Sequence, residues 1–149
     1  MNEPSLHRPR ADDYRWQSVP LLAYKQHGSA PFKEVTRQVL FEDAALGCQL
    51  RYFEVAPGGH TTLERHAHVH AVMVLRGGGR CLVGEQVVEL ALHDLVQIPS
   101  LTWHQFRAAD EPLGFLCMVN AERDRPQLPN EDALAELRAH AEVAAFIRT

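Results

Sequence analysis

Histidines and one glutamate are concentrated in a stretch of eleven residues. The stretch runs from His60 to His70, and its members Glu64, His66, His68 and His70 recur at every second position. A period of two places side chains on one face of a β-strand and would scatter them around a helix. Clustered imidazoles with one carboxylate suit iron, manganese, nickel, zinc or copper, and the absence of thiols from the stretch disfavours a structural zinc knuckle. The spacing therefore predicts a divalent transition-metal site on a β-scaffold.

Short β-rich runs that alternate with turn residues surround this stretch. From residue 36 onward glycine and proline punctuate the chain at the spacing typical of an all-β sandwich or barrel. We predict nine strands, at 36–41, 48–55, 60–66, 70–76, 80–83, 86–90, 95–98, 104–108 and 113–119.

The two flanks differ from this central body. Residues 1–35 contain Pro4, Pro9, Pro20 and Pro31 among charged residues, which predicts an N-terminal arm. Residues 36–120 form the predicted β-barrel, and 121–149 a loop followed by a helix. Apolar residues at helical spacing predict one amphipathic helix from Glu131 to Arg148, with Asn130 as its N-cap.

Composition narrows the classes of partner. The 149 residues are the size of one domain, and with 46% hydrophobic residues they can bury a core. A net charge of −4 and the lack of a basic stripe argue against a nucleic-acid partner. No apolar segment is long enough to predict a membrane span or a secretion signal, so we expect a cytoplasmic protein. Three widely spaced cysteines are expected to be reduced, buried thiols.

Two linked motifs resemble those of the cupins. Pro57-Gly58-Gly59, the acid and histidine cluster, and the six residues from His70 to Gly77 look like the first cupin motif. Asp94, Ile98-Pro99, His104 and Phe106 look like the second, although His93 and Leu101 stand where glycines are usual. The resemblance covers residues 47–119 closely and implies a small, single-domain, metal-binding cupin. Its fold would be the double-stranded β-helix, or jelly roll, with the metal at the barrel mouth.

The resemblance also implies a ligand set. Counting back from Gly77 puts His70 at the position where the family usually has glutamate, and His66 and Glu64 at its two histidine positions. His104, from the second motif, completes the set of Glu64, His66, His70 and His104. His68 competes with Glu64, because His66-Ala67-His68 can itself be the family's His-x-His pair. We favour Glu64, since in cupins the chain turns near residues 67–69 and would leave His68 on the rim.

Strand parity predicts the pocket around the metal. Thr62, Val72, Val74 and Phe106 should face inward with the ligands and make the wall mainly apolar. Tyr52 or Arg51, depending on the phase of the 48–55 strand, is the candidate for a polar contact to the substrate. Trp103 and Gln105, beside the second motif, are further candidates.

Three classes of function fit this site. The first is a metal-dependent enzyme acting on a small oxygen-chelating organic substrate, either a dioxygenase-type enzyme or a Lewis-acid isomerase or lyase. The second is a non-catalytic cupin that binds or senses a small ligand through its metal, and the third is a subunit with an assembly role. The enzyme is favoured, because three histidines and a carboxylate leave coordination positions open. A homodimer is also expected, since the arm, with Trp16, and the outer sheet residues Met73 and Leu75 would otherwise expose apolar surface.

Overall fold

The computed structural model describes residues 7–25 and 31–149, and residues 1–6 and 26–30 of the predicted arm lie outside that range. The described residues form one curled, mostly antiparallel sheet followed by two short helices. Within them the elements are β1 (Leu22–Ala23), β2 (Lys33–Asp43), β3 (Cys48–His60), β4 (His70–Arg76), β5 (Gly79–Val83), β6 (Gln86–Leu90), β7 (Leu95–Ile98), β8 (His104–Ala108), β9 (Leu113–Asn120), α1 (Glu131–Arg138) and α2 (Ala141–Phe146). None of the helices among these elements is long and apolar enough to cross a membrane.

Strand β3 organises the sheet. Along its first half it pairs with β2 on one side and with β9 on the other, and at His60 it meets β8. The sheet runs in the order β6-β5-β8-β3-β9-β4-β7, with β1 and β2 attached beside β3. The inner face of this curled sheet buries the main apolar core, which includes Val55, Val74 and Phe115. Side chains that share the inner face near the strand ends therefore converge at the open end of the barrel.

The predicted strand at 60–66 is wrong. Strand β3 continues through Pro57-Gly58-Gly59 to His60, because a register shift against β2 absorbs the extra residues as a bulge. Gly58 has φ +75°, and a Cβ on Gly59 would lie 2.6 Å from the carbonyl oxygen of Lys33, so both positions require glycine. Beyond His60 only Glu64 and Arg65 make isolated bridges, since the Thr61 hydroxyl accepts the Phe106 N–H in place of a regular ladder.

The single helix predicted from Glu131 to Arg148 is also wrong, since the structure divides it into α1 and α2. Asn130 caps α1 as predicted, accepting the Ala133 N–H at 2.8 Å. His140 then adopts extended backbone and starts a new direction. After this change of direction, Val143 and Phe146 are buried in one cluster with Leu63 and Leu82.

The N-terminal arm packs on its own chain. Trp16 meets the ring of Tyr52 edge-on with centroids 5.2 Å apart, and Val19 is buried. Strand β1 adds to the edge of β2. Trp16 therefore packs on β3 of its own chain, and it no longer supports the expected homodimer. Cys48, Cys81 and Cys117 are free thiols; Cys81 and Cys117 are buried as expected, whereas Cys48 is only partly buried.

Candidate metal centre

Three histidines from separate parts of the chain meet at the open end of the barrel. His70 begins β4, His104 begins β8, and His66 lies in the segment between β3 and β4. Each offers a ring nitrogen, and these atoms all lie within 4.8 Å of one another. The Nε2 atoms of His66 and His70 are 2.8 Å apart. This arrangement could hold a metal ion through three imidazole nitrogens.

The hydrogen bonds behind the rings fit metal binding. His66 Nδ1 lies 2.7 Å from the His68 carbonyl oxygen, and His104 Nδ1 lies 2.9 Å from the Thr102 carbonyl oxygen. A carbonyl can only accept, so both Nδ1 atoms carry the proton and both Nε2 atoms present a lone pair. His70 Nδ1 lies 2.9 Å from Cys117 Sγ. Metal-binding histidines are usually oriented through their second nitrogen in this way, so the donor set fits a divalent cation.

Burial keeps these rings neutral. Burial lowers the pKa of His66 to about 4, and the neighbouring His104 contributes to the shift. The pKa values of His70 and His104 are also lowered, in both cases mainly by burial. Only a neutral imidazole can bind a metal, so the site is ready to bind at neutral pH.

These shifts predict a pH dependence for the metal-free protein. The unfolded chain takes up a proton near pH 6.5, whereas folded His66 resists protonation until about pH 4. Stability contributed by the neutral ring is therefore present above pH 6.5 and lost as the pH falls towards 4. Urea unfolding at a series of pH values should show this decline, and it should be shallower in His66→Gln. If the free energy of unfolding depended on pH equally in both proteins, the lowered pKa of His66 would be contradicted.

Glu64 lies beside the histidines and is held by a cation. Its backbone pairs with that of His104 across an isolated bridge, and its carboxylate forms an ion pair with Lys25 Nζ. The Glu64 carboxylate is not among the potential ligand atoms that lie within 4.8 Å of one another, which belong to the three histidines. Glu64 is nevertheless buried and lines the same cavity as His66 and His70. Its role as a metal ligand remains a prediction.

His68 is engaged on the rim of the site. Its ring stacks on His66, with centroids 3.7 Å apart and planes 5° from parallel. His68 Nδ1 lies 2.7 Å from Asp124 Oδ1, and Asp124 also accepts the backbone N–H groups of Ala67 and His68. These bonds hold the pKa of Asp124 well below its usual range. His68 thus supports the ring of His66, and its competing assignment as a ligand stays open.

A cavity of about 190 Å³ opens beside the histidines and is far more polar than expected. It is lined by Tyr24, Lys25, Arg37, Arg51, Phe53, Glu64, His66, His68, His70, Arg123, Asp124 and Pro126. A larger groove of about 480 Å³ touches His70 from the side of β7, and its other lining residues are mostly apolar. The smaller cavity is the candidate substrate site, because His66 and His70 of the three-histidine cluster line it, together with His68 and Glu64.

Of the predicted pocket residues other than the metal ligands, the structure places only Arg51 in the lining of this cavity. Val72, Val74 and Phe106 face inward as parity predicts, but they belong to the core beneath it, and Thr62 is buried outside its lining. Tyr52 is corrected, because it points to the outer face and stacks on Tyr14, which leaves Arg51 as the inward residue of that pair. Trp103 is corrected too, since it packs near α1 and carries Arg65 over its ring.

Seven cavity residues have no counterpart among the predicted ones, and four of these could contact a substrate through a polar or charged group. Lys25 and Tyr24 come from the arm, Arg37 from β2 and Arg123 from the loop after β9. None is adjacent in sequence to either histidine motif, so only the long-range pairing of strands brings them there. Strand parity in 36–41 could have marked Arg37 as facing the same side as Val35 and Val39.

The chain is similar to cupin proteins in both sequence and structure. The family model described as a cupin domain matches residues 51–119. A protein of Rhodospirillum rubrum named 1-methylthio-D-xylulose 5-phosphate methylsulfurylase is 62% identical over 98% of this chain and 94% of its own length. A crystal structure of a cupin 2 conserved barrel domain protein from Rhodopseudomonas palustris has 59% identity and a TM-score of 0.91, covering 97% of this chain and all of that one. A cupin-2 domain structure from Rhodospirillum rubrum has 62% identity and a TM-score of 0.85, covering 94% and 95% of the two chains.

Proposed function

The chain belongs to the cupin family, and from that premise we propose that it is a metal-dependent enzyme acting on a methylthio-substituted sugar phosphate. The observation that carries the proposal is the meeting of His66, His70 and His104 beside a polar cavity. The similar Rhodospirillum rubrum protein is named for 1-methylthio-D-xylulose 5-phosphate, which gives the substrate class its chemistry. Such a ketose phosphate offers adjacent oxygens that a cation can bind.

His66, His70 and His104 would hold one divalent transition metal, with Glu64 as a possible fourth ligand. Iron, manganese, nickel, zinc and copper all remain compatible with this donor set. When bound, such an ion supplies a Lewis acid that polarises a carbonyl oxygen. Three histidine ligands leave positions for the substrate, as in catalytic rather than structural sites.

Glu64 is the carboxylate suited to moving a proton in this cavity. Asp124 is a poor base, because the backbone N–H groups of Ala67 and His68 and the ring of His68 stabilise its charged form and keep its pKa low. Glu64 accepts from Lys25, whose ammonium group can return a proton to the carboxylate or to the substrate. A hydrogen on the carbon next to a polarised ketone is acidic, so Glu64 would accept this proton. Lys25 would stabilise the negative charge that remains on the substrate.

A Lewis-acid reaction is favoured over the dioxygenase alternative. The related protein's name describes chemistry at a methylthio group of a sugar phosphate. Proton transfer beside a ketone requires a cation, an acid and a base. The histidines would hold the cation, Lys25 is the acid and Glu64 is the base.

The test uses protein purified without a histidine tag, stripped of metal and reloaded separately with manganese, iron, nickel or zinc. Each form is incubated with 1-methylthio-D-xylulose 5-phosphate, with and without a small thiol as acceptor for the sulfur group. With the thiol present and at least one metal bound, we expect the methyl signal of the substrate's methylthio group to be replaced in NMR by that of a mixed disulfide, because the thiol takes the sulfur group and the sugar carbon takes a proton. Stripped protein should leave the signal unchanged. Tight binding without turnover would instead favour the non-catalytic ligand-binding cupin.

The homodimer also remains a proposal, now supported by a different surface. Leu95, on edge strand β7, is 75% exposed, and Met118 and Val69 beside the apolar groove are about half exposed. Met73 and Leu75 are half-buried and contribute less than expected. Exposed apolar patches on an edge strand are typical of subunit contacts. Sedimentation should give a dimer for the wild type and a weaker one for Leu95→Glu, and a monomeric wild type would contradict the proposal.

A further inference from the structure

Three arginines, Arg37, Arg51 and Arg123, line the cavity together with the Lys25–Glu64 ion pair. Arg51 and Phe53 share the inner face of β3, and Arg37 is the residue directly paired with Phe53 on β2. The Arg51 guanidinium lies 4.8 Å from the centre of the Phe53 ring. Arg123 reaches the same cavity from the loop after β9. Residues paired across strands have Cβ atoms about 5 Å apart, so Arg37 starts from a position next to Phe53 and close to Arg51.

These arginines lack carboxylate partners. Among the described residues, no Asp or Glu lies within ion-pair distance of the three guanidinium groups. The Nε atoms of Arg37 and Arg51 are buried without a hydrogen-bond acceptor. Within residues 7–25 and 31–149, the one hydrogen-bond acceptor of the Arg51 side chain is the thiol of Cys117, at 3.4 Å. Burying a charged donor without a partner is costly, so an anion that paired with it would recover that cost.

The side chains that line the cavity carry more positive than negative charge. Four cationic side chains and two carboxylates line it, and both carboxylates are already committed, one to Lys25 and one to His68. Burial lowers the pKa values of Arg37 and Arg123, and the neighbouring positive charges add to both shifts. The whole chain, in contrast, carries −4. A local excess of about two positive charges matches a phosphate monoester, which carries about −1.5 to −2 at pH 7.

We propose that Arg37, Arg51 and Arg123 form the phosphate subsite of this enzyme and fix the distance between the substrate's phosphate and its metal-binding end. This proposal rests on the proposed function, because it assigns a sugar phosphate to the same cavity. Planar guanidinium groups match phosphate oxygens with paired hydrogen bonds. Arg123 is held by the Asn120 carbonyl at 3.0 Å and by Gln49 at 3.3 Å through one nitrogen, which leaves its others for a ligand. His66 and His70, in the same cavity, would face the other end of the sugar.

The test compares D-ribulose 5-phosphate with D-ribulose, which share the ketose and differ only in the phosphate. Binding to the full metal-loaded chain is measured by calorimetry at constant ionic strength. In the wild type the phosphate should strengthen binding at least about tenfold, and Arg37→Gln and Arg51→Gln should each remove most of that gain. Arg37→Lys, which keeps the charge, should retain part of it. Arg125→Gln is the matched control, since Arg125 lies in the same loop as Arg123 but does not line the cavity.

A phosphate gain that is equal in the wild type and both glutamine variants would overturn the subsite, and so would a wild type that binds the two probes equally. Metal content and circular dichroism of each variant verify the fold, and Arg37, being only partly buried, is the safer position. The two proposals can fail separately. Unchanged KM for the methylthio sugar phosphate in the arginine variants would remove the subsite and leave the activity. An arginine-dependent phosphate gain without turnover would remove the activity and leave the subsite.

Discussion

His104→Ala is expected to remove the bound metal and abolish activity. His104 is buried, its Nδ1 is held by the Thr102 carbonyl, and its ring lies 4.8 Å from that of His66. Replacing groups that merely orient a metal ligand costs about 10–100-fold in affinity, so losing the ligand itself should cost about 100-fold or more. Metal analysis after dialysis and turnover of the methylthio sugar phosphate measure the two effects.

The same variant should be less stable. A ligand present at about 100 times its Kd stabilises the folded state by about 2.7 kcal/mol, and that term disappears with the site. In a protein of this size each kcal/mol corresponds to about 2–4 °C, so the thermal midpoint in excess metal should fall by roughly 5–10 °C. His140→Ala is the control, because His140 lies half-exposed at the start of α2. Full metal occupancy in His104→Ala would show that His104 is not a ligand and would contradict the proposed metal site.

Glu64→Gln is expected to lower activity by about 10²–10⁴-fold, the usual contribution of a positioned acid or base. The substitution keeps the shape of the side chain but removes the charge that pairs with Lys25. If Glu64 is also a metal ligand, metal affinity should fall about tenfold or more, because a full negative charge leaves a buried cation site. Measuring metal content beside the rate separates these two roles.

His68→Ala is the matched comparison for Glu64. The His66 ring is oriented by the His68 backbone carbonyl, which alanine retains, so the substitution should lose only the ring stacking and the bond to Asp124. We expect metal content close to that of the wild type. If His68→Ala strips the metal while Glu64→Gln keeps both metal and activity, His66 and His68 coordinate together and Glu64 has no role in the centre.

The histidine cluster could be predicted from the sequence because its determinants are local. His66 and His70 lie within one motif, and His104 lies in a second motif whose spacing is typical of cupins. The inward orientation of Val72 and Val74 followed from strand parity alone, and both residues are buried. A local pattern with a strict period predicts which way side chains face, because this orientation does not depend on long-range pairing.

The rest of the cavity depends on long-range pairing that no local pattern contains. Whether Arg51 or Tyr52 faces inward is set by the register of β3 against β2 and β9. Lys25 reaches Glu64 across 39 residues of sequence. Apolar parity predicted an apolar pocket, yet those side chains fill the core and the polar ones gather above it.

Two boundary errors share a physical cause. The run at 60–66 has strand-like residues, but side chains such as that of Thr61 satisfy the neighbouring backbone and replace the ladder. The C-terminal run has helical periodicity, but the burial of Phe146 against the barrel outweighs the continuity of one helix. In both places tertiary packing overrides a local propensity.

Metal analysis of the wild-type chain, produced without a histidine tag and without added metal, tests the central claim most directly. Three oriented, neutral imidazoles beside an open cavity predict about one divalent transition-metal ion per chain after exhaustive dialysis. The identity of that ion would also narrow the reaction, since a redox-inactive ion fits Lewis-acid chemistry at the sugar ketone. Protein that retains no metal and does not take it up on reloading would contradict the account.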